Sequence, residues 1–200
     1  MKIILSVCIG LIAMTVHAEI PRAYRIIADQ YGVPVEVFFS IALQESGKSG
    51  QDKFLPWPWT LNIDEKGYYF DTREEAEMAL LTAMEHAQRK GRVGRVAVGI
   101  GQIYMPSHIS QFVSPLQALD PTENLNYAAK LLAEHYIKTL SEGSPDWWVA
   151  VGRYHSPSNK KLANAYQQLV LKKCLRISSR CHSYGRASVG LITQMATITP

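Results

Sequence analysis

Beyond Ala18, no stretch of this 200-residue chain is apolar enough for a helix that crosses a bilayer. There is no His-Glu-x-x-His or comparable set of ligand residues, so nothing in the sequence suggests a metal and no cofactor is expected. Strand and helix patterns do not alternate and no segment repeats, which excludes a parallel α/β sheet and a solenoid. Acidic residues stop early. From Lys172 onward the chain has Lys172, Lys173, Arg176, Arg180 and Arg186 but no Asp or Glu. The net charge is nevertheless only +4, and no nucleic-acid-binding motif is present. A modest basic surplus of this kind suits an anionic polymer of the cell envelope better than a nucleic acid.

The first residues show what the rest lacks. Lys2 precedes an apolar run from Ile3 to Val16, which leaves through the small-residue exit Val16-His17-Ala18. This pattern predicts a secretory signal, residues 1–18, cut after Ala18 and directing the protein to the periplasm. Val7 before Cys8 is too bulky for a lipidation site. Once the signal is removed, Cys174 and Cys181 remain, an even pair in an oxidising compartment and therefore a candidate disulfide. A metal site with His182 is the alternative, but it has three clustered ligands and no fourth. Residues 19–175 then read as one domain and 176–200 as a basic C-terminal tail, solvated after about residue 186.

Most segments have helical periodicity, and the expected class is mainly α with a small β-hairpin insert. Helices are predicted for Pro21 to Tyr31, Pro34 to Ser46, Thr72 to Lys90, Asp120 onward, Trp147 to Tyr154 and Lys160 to about Leu175. Thr72-Arg-Glu-Glu75 has the form of a capping box. Thr60 to Ile63 and Tyr68 to Phe70, joined by the turn cluster Asp64-Glu-Lys-Gly67, form the predicted hairpin.

The second helix is the informative one. Phe38, Ile41, Ala42 and Glu45 follow the i, i+3, i+4, i+7 spacing of a buried stripe, with Glu36, Ser40 and Gln44 on the opposite, wet side. A carboxyl on such a stripe holds its proton because burial disfavours the charged form. The negative end of the helix dipole acts in the same direction. A general acid for work near neutral pH needs this property. A Glu paired with a buried Arg would occupy the same kind of position, so location alone leaves both readings open.

Two further segments join it: Gly99-Ile-Gly-Gln-Ile103, with glycines where a bare backbone can approach a bulky ligand, and Ala150-Val-Gly-Arg-Tyr-His-Ser156. In this order the set resembles the lytic transglycosylases of the lysozyme-like superfamily, soluble-lytic-transglycosylase type. Their Glu-Ser pair, Gly-Leu-Met-Gln turn, Asn-containing helix and Tyr-Asn helix end correspond to Glu45-Ser46, Gly99-Ile100-Gly101-Gln102, Glu123-Asn124 and Tyr154-His155. The resemblance spans residues 21–170. It implies a lysozyme-like helical domain that cleaves the β-1,4 bond between N-acetylmuramic acid and N-acetylglucosamine in peptidoglycan, leaving 1,6-anhydromuramyl ends. It also implies that Glu45 is the catalytic acid and then base, and that Ser46, Gly99, Gln102, Ile103, Tyr154 and His155 are substrate-binding. Tyr154 would hydrogen-bond near Glu45 and hold it in place.

A single suitably buried carboxyl agrees with this chemistry. Most glycosidases need two, but a 2-acetamido group on the substrate can replace the second. His155 stands where the family commonly has Asn, which leaves that contact open. Trp57, Trp59, Tyr68 and Tyr69 are candidates either for sugar stacking or for packing of the insert. The Pro56-Trp-Pro-Trp-Thr-Leu-Asn62 stretch is similar to transglycosylase-like proteins of conjugation and secretion systems, which implies an envelope-spanning apparatus as partner. Two other readings remain at this point: a goose-type lysozyme that uses water, and a non-catalytic peptidoglycan-binding scaffold.

Overall fold

A computed structural model describes residues 19–50, 54–92 and 94–185; the expected signal and residues 186–200 lie outside the described residues. Two helices come first, α1 (Arg22–Tyr31) and α2 (Val35–Ser46), followed by paired strands β1 (Gly47–Ser49) and β2 (Phe54–Pro56). The hairpin β3 (Thr60–Ile63) and β4 (Lys66–Tyr69) precedes α3 (Arg73–Arg89), and then come β5 (Val96–Val98) and β6 (Ile103–Tyr104). Short helices α4 (Met105–His108) and α5 (Pro115–Leu119) lead to the long α6 (Pro121–Ser141), α7 (Trp147–His155) and α8 (Lys160–Ile177). A 3-10 segment, Ser179–Tyr184, closes the described chain. The class is mainly α with a small antiparallel β element.

Local chemistry explains most boundaries. Gly32 ends α1 in the left-handed conformation, φ 64°, which only glycine adopts without strain. Thr72 and Glu75 form the full capping box of α3. Asp120, Asp146 and Asn159 accept backbone N–H groups at the starts of α6, α7 and α8. Each such cap contributes roughly 1 kcal/mol. Among the described residues no single helix is long and apolar enough to cross a membrane.

The β element is larger than a hairpin. Asp64 and Glu65, with φ of 48° and 72°, make a two-residue turn, so Lys66 and Gly67 belong to β4 rather than to the turn. The sheet has four antiparallel strands in the order β4-β3-β5-β6. Strands of three and two residues such as β5 and β6 are too short to show a period, so the sequence pattern passes over them.

At the centre of the helical layer lies α2, packed against α1, α8 and β2. It has no wet side. Glu36 and Ser40 are both buried, contrary to the two-faced pattern expected from sequence. For Glu36 the reason is cover from later chain: Arg180 and Tyr184 both bond its carboxylate, Tyr184 through its hydroxyl at 2.9 Å, while the Ser40 hydroxyl donates to the Glu36 carbonyl at 2.6 Å. Cys174 and Cys181 are disulfide-bonded and fully buried, and the Trp148 indole donates to the Cys181 carbonyl at 3.2 Å. Residues 176–184 are therefore part of the packed body, and a tail beginning at 176 is corrected accordingly.

Candidate active site

Glu45 occupies the last turn of α2, in a cleft of about 270 Å³ between the helical layer and the sheet. Gln102, Ile103, Tyr154 and His155 line the same cleft, so the structure brings Glu45 together with residues from two other stretches of chain. Asn62 of β3, Tyr104 of β6 and His108 of α4 also line it, and sequence reasoning did not select them. Tyr104 is largely exposed at the rim. Glu45 is the sole carboxyl among the lining residues.

Burial pushes the Glu45 carboxyl up to about pH 7, and the hydrogen bond it accepts from Tyr166 only partly offsets that rise. Tyr166 donates to Oε1 of Glu45 at 2.5 Å. The anchor expected from sequence was Tyr154, and this is corrected: the Tyr154 hydroxyl donates to the Gly101 carbonyl at 2.7 Å. Tyr154 thus holds the turn, while Tyr166 holds the acid. A signal for Tyr166 was present. It is the polar member of the α8 stripe Tyr166, Val170, Cys174 and Ile177, all of which are buried.

The turn between β5 and β6 owes its shape to one buried amide. Asn124 of α6 is fully buried; its Oδ1 accepts from the Gly101 N–H at 2.7 Å, and its Nδ2 donates to Val98 and Ala118 carbonyls at 2.8 and 2.7 Å. A Cβ on Gly99, where φ is 73°, would lie 2.6 Å from Asn124 Nδ2. A Cβ on Gly101 would lie 2.7 Å from the Ala128 methyl. These glycines therefore make room for α6, not for a ligand as the sequence suggested, and Gly99 does not line the cleft. Gln102 adopts φ 47°, and its Nε2 donates to the Gly99 and Thr60 carbonyls at 2.9 and 3.2 Å. With both amide hydrogens engaged, the Gln102 side chain offers a ligand its oxygen, an acceptor.

Ser46 is not brought to the cleft. It is fully buried, and its hydroxyl donates back to the Ala42 carbonyl at 3.0 Å. His155 lies flat against the Tyr166 ring, centroids 4.4 Å apart and planes 3° from parallel. Burial holds the imidazoles of His155 and His108 below the usual histidine range, and His108 Nδ1 is 2.9 Å from the Tyr127 hydroxyl.

The aromatic insert packs beside the cleft rather than in it. The Trp57 indole donates to the Phe70 carbonyl at 2.6 Å, with the Lys48 ammonium 4.3 Å above its ring. Tyr68 stacks on Phe70, the Tyr69 hydroxyl reaches the Gly47 carbonyl at 3.2 Å, and Trp59 packs on the core. None of these four lines the Glu45 cleft. Among the described residues no group of three or more His, Cys, Asp or Glu is arranged to hold a metal ion.

A protonated carboxyl, an acceptor amide and two tyrosines with their own partners make a site suited to donating one proton to a neutral, oxygen-rich ligand. Comparisons of the chain with protein-family models, with curated proteins and with solved structures return no match.

Proposed function

We propose that the protein is an exported peptidoglycan lytic transglycosylase in which Glu45 acts as general acid and then as general base. One observation carries the reading: the cleft has a single carboxyl, it keeps its proton to about pH 7, and a tyrosine hydroxyl holds it in place. Segments matching the family's motifs around Glu45, Gln102 and Tyr154 meeting at one cleft supports the same conclusion. The disulfide suits an oxidising periplasm.

The chemistry follows from having one acid. Glu45 gives its proton to the glycosidic oxygen as the bond from muramyl C1 to that oxygen breaks. The carbonyl oxygen of the substrate's 2-acetamido group bonds to C1 and takes up the electron deficiency. The Glu45 carboxylate then removes the proton of the muramyl 6-hydroxyl, whose oxygen attacks C1 and expels the acetamido oxygen. The 1,6-anhydro ring closes and Glu45 is protonated again, so no second carboxyl is needed. Water in place of the 6-hydroxyl would give lysozyme-type hydrolysis at the same site.

Digestion of purified sacculi, with muropeptides read by mass spectrometry, tests the proposal. The wild-type protein is expected to release anhydro-ended fragments, and Glu45→Gln to release them roughly 10²–10⁴-fold more slowly while still binding the wall. Reducing ends would assign hydrolysis instead. Equal release by wild type and variant would remove Glu45 from the mechanism.

A further inference from the structure

The acid–base scheme leaves His155 of the cleft without a part. His155 is the last residue of α7, exposed along one side, and it lines the cleft with Glu45. Its ring nitrogens make no hydrogen bond among the described residues, so the flat stack on Tyr166 is the contact that fixes it. Tyr166 in turn is buried, and its hydroxyl reaches Glu45 across 121 residues of sequence.

A phenol donating at 2.5 Å has little angular freedom, because hydrogen bonds weaken steeply once donor and acceptor move out of line. Rotation of the Tyr166 ring about χ2 would swing its edges but not its oxygen. Tilting of the ring at χ1 would move the oxygen away from Oε1. A ring held face to face on one side resists that tilt, whereas an aliphatic side chain of equal volume gives a softer and less directional contact.

We propose that His155 is a positioning residue for Glu45, acting through Tyr166: its imidazole plane fixes the tyrosine ring in the orientation from which the hydroxyl donates to the carboxyl. This inference deepens the acid–base role given to Glu45 and rests on that reading. It also accounts for a departure from the resembled family, whose Asn at this position has no ring to stack.

The test reads Glu45 directly rather than through cleavage. In carboxyl-labelled protein, the Glu45 side-chain carbon is followed by NMR as pH is varied, in wild type, His155→Ala, His155→Leu and His155→Phe. The Tyr166 bond favours the ionised carboxyl, so loosening it tightens proton binding. His155→Ala and His155→Leu are expected to bind the Glu45 proton several-fold more tightly, up to about tenfold, the scale of a weakened bond to a charged acceptor. His155→Phe, which keeps a flat ring, is expected to titrate like wild type. His155→Leu fills the space, so it guards against an Ala variant that fails to fold. An unchanged Glu45 titration in both Ala and Leu variants overturns the inference, and so does a Phe variant that behaves like Leu. Absence of glycan cleavage with these shifts present would refute the proposed reaction and leave the positioning role standing.

Discussion

The Tyr166 hydroxyl and the Glu45 carboxyl, 121 positions apart in sequence, meet at 2.5 Å. Burial raises the proton affinity of the acid and this bond lowers it, so the value near 7 is a balance of two opposed effects in which burial dominates.

Removing the lowering partner shifts that balance. Tyr166→Phe keeps the ring and its stack on His155 but deletes the donor. The Glu45 carboxyl is expected to titrate higher than in wild type, moving the basic limb of the pH–rate profile of sacculus digestion upward. The rate at the optimum is expected to fall roughly 10–100-fold, because the acid is no longer held in one orientation. A profile that stays in place would show that the bond does not act on the proton-donating group.

The same acid has a cost in stability, and its sign can be worked out. The Glu45 carboxyl titrates near 7 in the folded protein against 4.5 in an ordinary setting. Between those values the unfolded chain has released the proton and the native protein has not. Stability therefore falls as pH rises through this window and levels off above it, by about 3 kcal/mol in total. Glu45→Gln carries no such ionisation. Thermal unfolding is expected to show the variant more stable than wild type at about pH 8, with the gain disappearing near pH 4. A gain that does not depend on pH would contradict the raised titration.

Asn124 is the hub of the 99–102 turn. Asn124→Leu leaves the Gly101 N–H and two carbonyls without their buried partner, each a group that is expensive to strand. The variant is expected to lose about 3 kcal/mol or more in urea unfolding. Asn124→Asp should lose less, since it retains the acceptor for Gly101 but not the donor. Equal losses would show that the amide's acceptor side contributes little beyond its donor.

The Cys174–Cys181 link closes a short loop, so its removal should cost about 2–3 kcal/mol. In Cys174→Ser/Cys181→Ser the protection of α2 amides from hydrogen exchange is expected to fall near Glu36, where Arg180 and Tyr184 bond. Unaltered exchange there would mean that the 3-10 segment holds its place without the disulfide.

How far the sequence carries depends on the range of the interactions involved. Helix starts were legible wherever a capping residue precedes them, at Thr72 and Asp120, because a cap is a contact of two or three residues. Glu45 was legible because a carboxyl breaks an apolar period. The dry side of α2 was not: Glu36 looks solvated until Arg180 and Tyr184 bond its carboxylate, and nothing local announces that cover. The purpose of Gly99 and Gly101 was misread for the same reason, since the side chain they admit, Asn124, lies more than twenty residues away. Tyr154 was given the part that Tyr166 plays because both are tyrosines on neighbouring helices that pack on each other, and only geometry tells which hydroxyl reaches the acid.

The attachment of α2 at both of its ends has a consequence for biogenesis. Glu36 near its start is gripped by Arg180 and Tyr184, and Glu45 near its finish by Tyr166. A chain leaving the ribosome delivers α2 long before any of those three. Until they emerge, the carboxyl lacks its donor and Glu36 its partners, so the proton site stays unbuilt during synthesis and assembles only once residues 166–184 have arrived.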